Sequence, residues 1–101
     1  MSDFGGTTTV TRALRWLTVV ATGAAVSRPG RLYAARLVGA AAASCVLRDG
    51  TADTGPVVLA LAIPAAGADD WPKVPVSLPF MHGLHLTLTG TGTVILGWNP
   101  D

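Results

Sequence analysis

From residue 30 to residue 98 the chain repeats one pattern, in which a short apolar or alternating segment gives way to a turn and another segment follows. The segments cover residues 31–39, 43–48, 57–63, 74–78, 84–89 and 93–98. Asp49-Gly50-Thr51 and Gly90-Thr91-Gly92 punctuate them, and no long 3.6-residue periodicity lies between. Strands at this spacing predict a small all-β fold, a single antiparallel β-sandwich of about seven or eight strands.

The missing residue types point the same way. The chain has no Glu, no Gln and a single lysine, Lys73, so a surface helix would lack the side chains that normally cover its solvent face. Thr, Val, Gly and Pro are plentiful and suit pleated strands and tight turns. Of the 101 residues, 50% are hydrophobic and only 13% charged, more apolar material than one small sandwich hides. Part of it is therefore expected at subunit contacts. The net charge of +1 supplies no field to attract a phosphate backbone, which argues against nucleic acid as a partner. The six arginines all fall between Arg12 and Arg48, where strand periodicity spreads them over different faces.

Residues 12–26 superficially resemble a secretory signal, with Arg12 and Arg15 ahead of a short Ala- and Val-rich stretch. The segment before them carries Asp3 and no Lys or Arg, and the apolar stretch is too short to span a membrane. We expect residues 13–22 to form the first strand, residues 1–9 an amino-terminal arm, and residues 10–101 the sandwich domain. Cys45 is alone, which excludes an intrachain disulfide and fits folding in a reducing cytoplasm. Within Ala-Ser-Cys-Val-Leu it reads as a small core residue rather than a nucleophile, which needs a basic, partly open setting.

Alternation assigns the faces. Leu84, Leu86 and Leu88 share one side of a strand while His85, Thr87 and Thr89 share the other; Val94, Leu96 and Trp98 point inward. Residues 57–63 are apolar on both faces, as expected of a central strand or of one that meets a neighbouring subunit. Pro72, Pro75 and Pro79 place their segment at an edge or a bulged corner. The glycines flanking Thr91 read as a hairpin turn.

No catalytic motif emerges. His82 and His85 form His-x-x-His with Asp69 and Asp70 upstream, a set of metal-ligating types, but positions three apart on a strand face opposite ways unless Gly83 makes a bulge. The competing reading is one corner histidine and one outward-facing histidine. Ser44, His85 and Asp69 supply the types a hydrolase needs without any local sequence that brings them together. No metal, cofactor or catalytic residue is assigned. Trp16, Tyr33, Trp71 and Trp98 are the aromatic candidates for a sugar platform. Trp71, in the polar stretch Asp69-Asp70-Trp71-Pro72, is better explained as a protein-contact anchor, while Trp16 and Trp98 are expected to plug the core.

Gly30-Arg31-Leu32-Tyr33, Leu47-Arg48-Asp49-Gly50-Thr51, Leu78-Pro79-Phe80 with Gly83-Leu84, and Thr89-Gly90-Thr91-Gly92-Thr93 follow one another in an order that resembles small virion proteins of tailed bacteriophages. It is similar to the β-sandwich or jelly-roll proteins that decorate heads or sit in tail appendages, over about residues 28–98. The Ala-rich strands and the arginine-bearing first segment depart from that pattern. The resemblance implies a non-enzymatic structural component of the virion, made in the host cytoplasm. Such a protein works as a symmetric homo-oligomer, most often a trimer, bound to the major capsid protein or to another virion protein at a spike or fibre base. It implies no membrane partner and no active-site residue. The contact residues expected are Trp71, Phe80, Phe4, Arg12 and Arg15. The alternative expectation is a receptor- or carbohydrate-binding module of a tail or head fibre.

Overall fold

The computed structural model of the chain describes residues 14–74 and 76–100. Among these it is all-β, with nine strands: β1 (Arg15–Val19), β2 (Gly23–Val26), β3 (Gly30–Gly39), β4 (Ala43–Asp49), β5 (Val57–Ile63), β6 (Gly67–Trp71), β7 (Leu78–Phe80), β8 (Leu84–Thr89) and β9 (Thr93–Pro100). They form two antiparallel sheets. In the first the order is β1-β9-β3-β6, with β7 also paired to β3; in the second it is β2-β8-β4-β5.

The sheets share one core. Leu32, Ala35, Leu37, Phe80, Val94, Leu96 and Trp98 from the first join Val26, Cys45, Leu47, Leu61, Ile63, Leu84 and Leu86 from the second in a single buried cluster. Strand alternation produces this, because every second residue of β4 and the alternate positions of β8 and β9 from Leu84 and Val94 are apolar and point the same way, as are those of β3 on either side of its register shift between Leu32 and Ala34. Leu84, Leu86, Val94 and Leu96 are fully buried and Trp98 nearly so, as their spacing predicts. Cys45 lies among them. Burial pushes its thiol up, the backbone hydrogen bond with Leu61 opposes this, and the charge of Asp69 adds to the rise, so the thiol stays protonated at neutral pH.

Several expectations are corrected. The first strand, expected over residues 13–22, is the shorter β1; the chain leaves the first sheet at residues 20–22, and a further strand, β2, follows in the other sheet. A strand over residues 74–78 is replaced by β7 at Leu78–Phe80, and β6 was not legible at all. The reason is that β6 and β7 lie along the same edge of β3, β6 against Ala35 to Gly39 and β7 against Gly30 to Leu32. An edge strand tolerates two aspartates and a proline-bearing interruption that a central strand would not. The glycines around Thr91 do not close a hairpin, since β8 and β9 belong to opposite sheets. β5 is not central but the outermost strand of its sheet, pairing only with β4.

The leucine rows set the stability. Leu47→Ala and Leu86→Ala, each removing a fully buried side chain, are expected to cost about 2–5 kcal/mol in denaturant unfolding. Leu88→Ala, at a half-buried position of the same strand, is expected to cost less than either.

Candidate interaction surfaces

The aromatic residues fall into two groups, and alternation decides which. Trp98 is inward, and the Phe80 ring sits 6.1 Å from it at a 54° tilt. Phe80 faces Gly30 across the β3–β7 ladder, and a methyl group at position 30 would stand 3.0 Å from the Phe80 Cζ. The absent side chain makes room for the ring, so Phe80 is 1% exposed and belongs to the core. The expectation that Phe80 lies at an interface is thereby overturned.

Trp16 goes the other way. Leu17 pairs with Leu96 and turns inward, so its neighbour Trp16, paired with Gly97, lies on the outer face of the first sheet. It is 63% exposed rather than a core plug. Its six-membered ring rests on Gly97, where an added methyl group would come within 2.9 Å of the Trp16 Cζ3. The glycine is the seat that lets the indole lie down on the sheet.

Trp71 closes β6 opposite Ala35, half-buried against the core. It is therefore in a strand rather than an exposed loop, with Asp70 on the opposite side reaching Arg36 at 3.5 Å. That pair is about half exposed on both sides and is worth under about 1 kcal/mol. Arg15 places its guanidinium 5.6 Å from the centre of the Trp98 ring, a cation–π contact at the rim of the core. Phe4, Arg12 and the expected arm over residues 1–9 lie outside the described residues.

Between β6 and β7 the chain leaves the edge of β3, and a shallow cleft of about 400 Å³ opens there, lined by Tyr33, Pro72, Val76 and Ser77. Tyr33 sits where the β3–β9 register shifts between Leu32 and Ala34, which turns its ring outward. Ser77 accepts a hydrogen bond from the Arg31 Nε at 3.0 Å and fixes one wall. Val74 and Val76 are exposed beside it. The cleft was not legible in the sequence, because the prolines marked an irregular edge without showing what it would face.

The polar candidates do not converge. Ser44 pairs with Thr89 and His85 with Arg48, four ladder positions apart, or about 13 Å along the strand. Asp69 lies in the other sheet, where its carboxylate accepts the Ala62 amide at 3.0 Å. His82 is exposed beside Asp49, whereas His85 is buried on the outer side of β8 with its Nδ1 unpartnered. Among the described residues no three His, Cys, Asp or Glu side chains gather in a metal-binding group.

Asp49 holds one end of the molecule together. Its carboxylate accepts the Met81 amide at 2.9 Å and the His82 amide at 2.8 Å, while its own amide donates to the Pro56 carbonyl at 2.9 Å. The turn before β8 and the loop after β4 are thus tied to a single residue. Burial pushes its carboxyl up, but the amides of Met81 and His82 and the nearby His82 ring outweigh this and hold it below its ordinary 3.8.

No family model, no curated protein and no solved structure matches this chain.

Asp49→Asn is expected to cost about 1–2 kcal/mol at neutral pH through loss of charge-assisted hydrogen bonds. A depressed carboxyl stabilises the fold fully above the unfolded value near pH 4, and that stabilisation disappears as pH falls through the lower folded value. The gap between wild type and Asp49→Asn in urea unfolding should therefore be widest above about pH 5 and close on acidification.

Proposed function

We propose that the chain is a non-enzymatic structural protein of a tailed-phage particle, acting through its faces as a symmetric homo-oligomer on the capsid or at a spike or fibre base. The observation that carries this reading is the amount of large apolar surface left outside the core by a chain with so few charges. Trp16, Val20, Val57, Val74, Val76 and Met81 are all about half exposed or more, and closed symmetry is the usual way to cover such surface.

The strand order supports a jelly roll as the finer description. Counting the interrupted edge β6 and β7 as one strand leaves eight, alternating between the orders β1-β9-β3-β6 and β2-β8-β4-β5. Double-sheet jelly rolls have eight strands in two Greek keys and recur in viral shells and lectins. A trimer on the major capsid protein, made in the host cytoplasm and carried in the virion, is the assembly we favour.

One observation favours a second reading, a receptor- or carbohydrate-binding module. The Trp16 indole lies on Gly97 with its outer side open, an arrangement that suits the apolar side of a sugar ring.

Multi-angle light scattering on the purified chain should give a stable oligomer at micromolar concentration, and a monomer there would sink the assembly reading. Gel densitometry of purified particles should give many copies per particle for a capsid protein and few for a receptor-binding module. Saturable quenching of tryptophan fluorescence by oligosaccharides, abolished in Trp16→Ala, is the outcome expected of the second reading alone.

A further inference from the structure

The cleft beside Tyr33, Pro72, Val76 and Ser77 has apolar walls and a basic rim. Arg31 stands against one wall, its Nε donating to Ser77, and the exposed Lys73 follows Pro72. Among the described residues no ion pair engages either cation: of the aspartates on β6, Asp69 accepts the Ala62 amide and Asp70 faces Arg36. An occupant that suits this place brings a ring for the walls and a carboxylate for the rim.

The chain itself supplies one. Residues 1–13 read Met-Ser-Asp-Phe-Gly-Gly-Thr-Thr-Thr-Val-Thr-Arg-Ala, where the one acidic residue, Asp3, stands next to the one aromatic residue, Phe4. Gly5-Gly6 follows, a pair that lets a chain turn sharply. Residues 7–11 are all β-branched, which suits extended chain.

Register fixes where this segment joins the described fold. Trp16 pairs with Gly97 and Gly97 with Ala34, while Trp71 pairs with Ala35 and Leu78 with Leu32. Pro72 and Ser77 therefore fall beside Ala34 and Tyr33, on the row of the sheet that begins at Arg15 and Trp16. In the order β1-β9-β3-β6 that row crosses three strand spacings, or about 14 Å. The ten residues from Phe4 to Ala13 span about 33 Å when extended, more than enough to return across it. The ground between is apolar and low, made of the exposed indole of Trp16 lying on Gly97 and of Ala34.

We propose that Asp3 and Phe4 of the same chain occupy this cleft, the Phe4 ring between Tyr33, Pro72 and Val76 and the Asp3 carboxylate toward Arg31 and Lys73. The segment crosses the outer face of the first sheet to get there. Because the tether is short, the cleft meets its own segment at a far higher effective concentration than a neighbour's. The contact does not rest on the virion reading. It takes Tyr33 and Val76 out of the surface offered to a neighbour and leaves Val20, Val57 and Met81 for that purpose.

The test uses the full chain. Gly5→Cys combined with Val74→Cys should close an intrachain disulfide under mild oxidation at least about tenfold faster than Gly5→Cys combined with Ala60→Cys, on the outer face of the second sheet. The native thiol of Cys45 is buried and does not compete. Adding Asp3→Lys should slow the first closure at least about threefold, by setting a cation against Arg31 and Lys73. Phe4→Ala in the otherwise native chain should move the Val76 methyl resonances in NMR spectra and leave those of the buried Leu47 in place. Equal closure rates with Val74→Cys and Ala60→Cys overturn the proposal, as does a disulfide that forms only between chains. Val76 resonances that ignore Phe4→Ala, or a closure rate that ignores Asp3→Lys, overturn it as well. None of these readouts measures oligomeric state, so this contact and the assembly reading fail separately.

Discussion

Leu47, Leu61 and Leu86 from one sheet meet Leu32, Leu37 and Leu96 from the other in an apolar layer, and the rest of the molecule is arranged around keeping that layer closed. The strands alternate because alternation is the only way to send every second side chain into the layer. The core carries no ion pair among the described residues, and Cys45 is a neutral thiol. Cohesion therefore comes from apolar burial and backbone ladders. Charged groups act at the rim, as Asp49 does in tying the β4 and β8 ends.

Connectivity makes this closure a global event. Only β4 and β5 are consecutive strands that pair with each other, and nearly every other connection crosses from one sheet to the other. Neither sheet can assemble from neighbouring segments alone. Such non-local topologies form slowly and expose strand edges while they do so. A chain of this design needs its edges managed: β2 and β5 each carry a register irregularity, β6 carries two aspartates, and β7 is three residues long with a proline.

The surfaces follow from the same layer. Once the large residues of one register of each strand are committed to the core, the opposite register must face outward whatever its polarity. In β1 that rule exposes Trp16, and Gly97 beneath it turns an awkward outward tryptophan into a seated one. In β3 a one-residue shift turns Tyr33 toward the cleft beside Pro72 and Val76. In β5 it leaves Ala60 and Ala62 outside. These three places, with Val20 and Met81, are where the apolar surplus of the composition ends up.

The residues alone determined the all-β class, the inward register of β8 and β9, and the excess of apolar surface. These depend on alternation and composition, which are local and additive. They also placed Cys45 and Trp98 inside, since both sit in phase with large apolar neighbours. Tertiary structure decided what depends on pairing between distant segments. It put Phe80 in the core because Gly30, fifty positions away in the chain, leaves a gap for its ring. It placed Trp16 outside because Leu17, not Trp16, is in phase with Leu96. And it set β5 at an edge: a strand apolar on both faces reads the same whether neighbours flank it on two sides or one, and only the sheet order distinguishes the two.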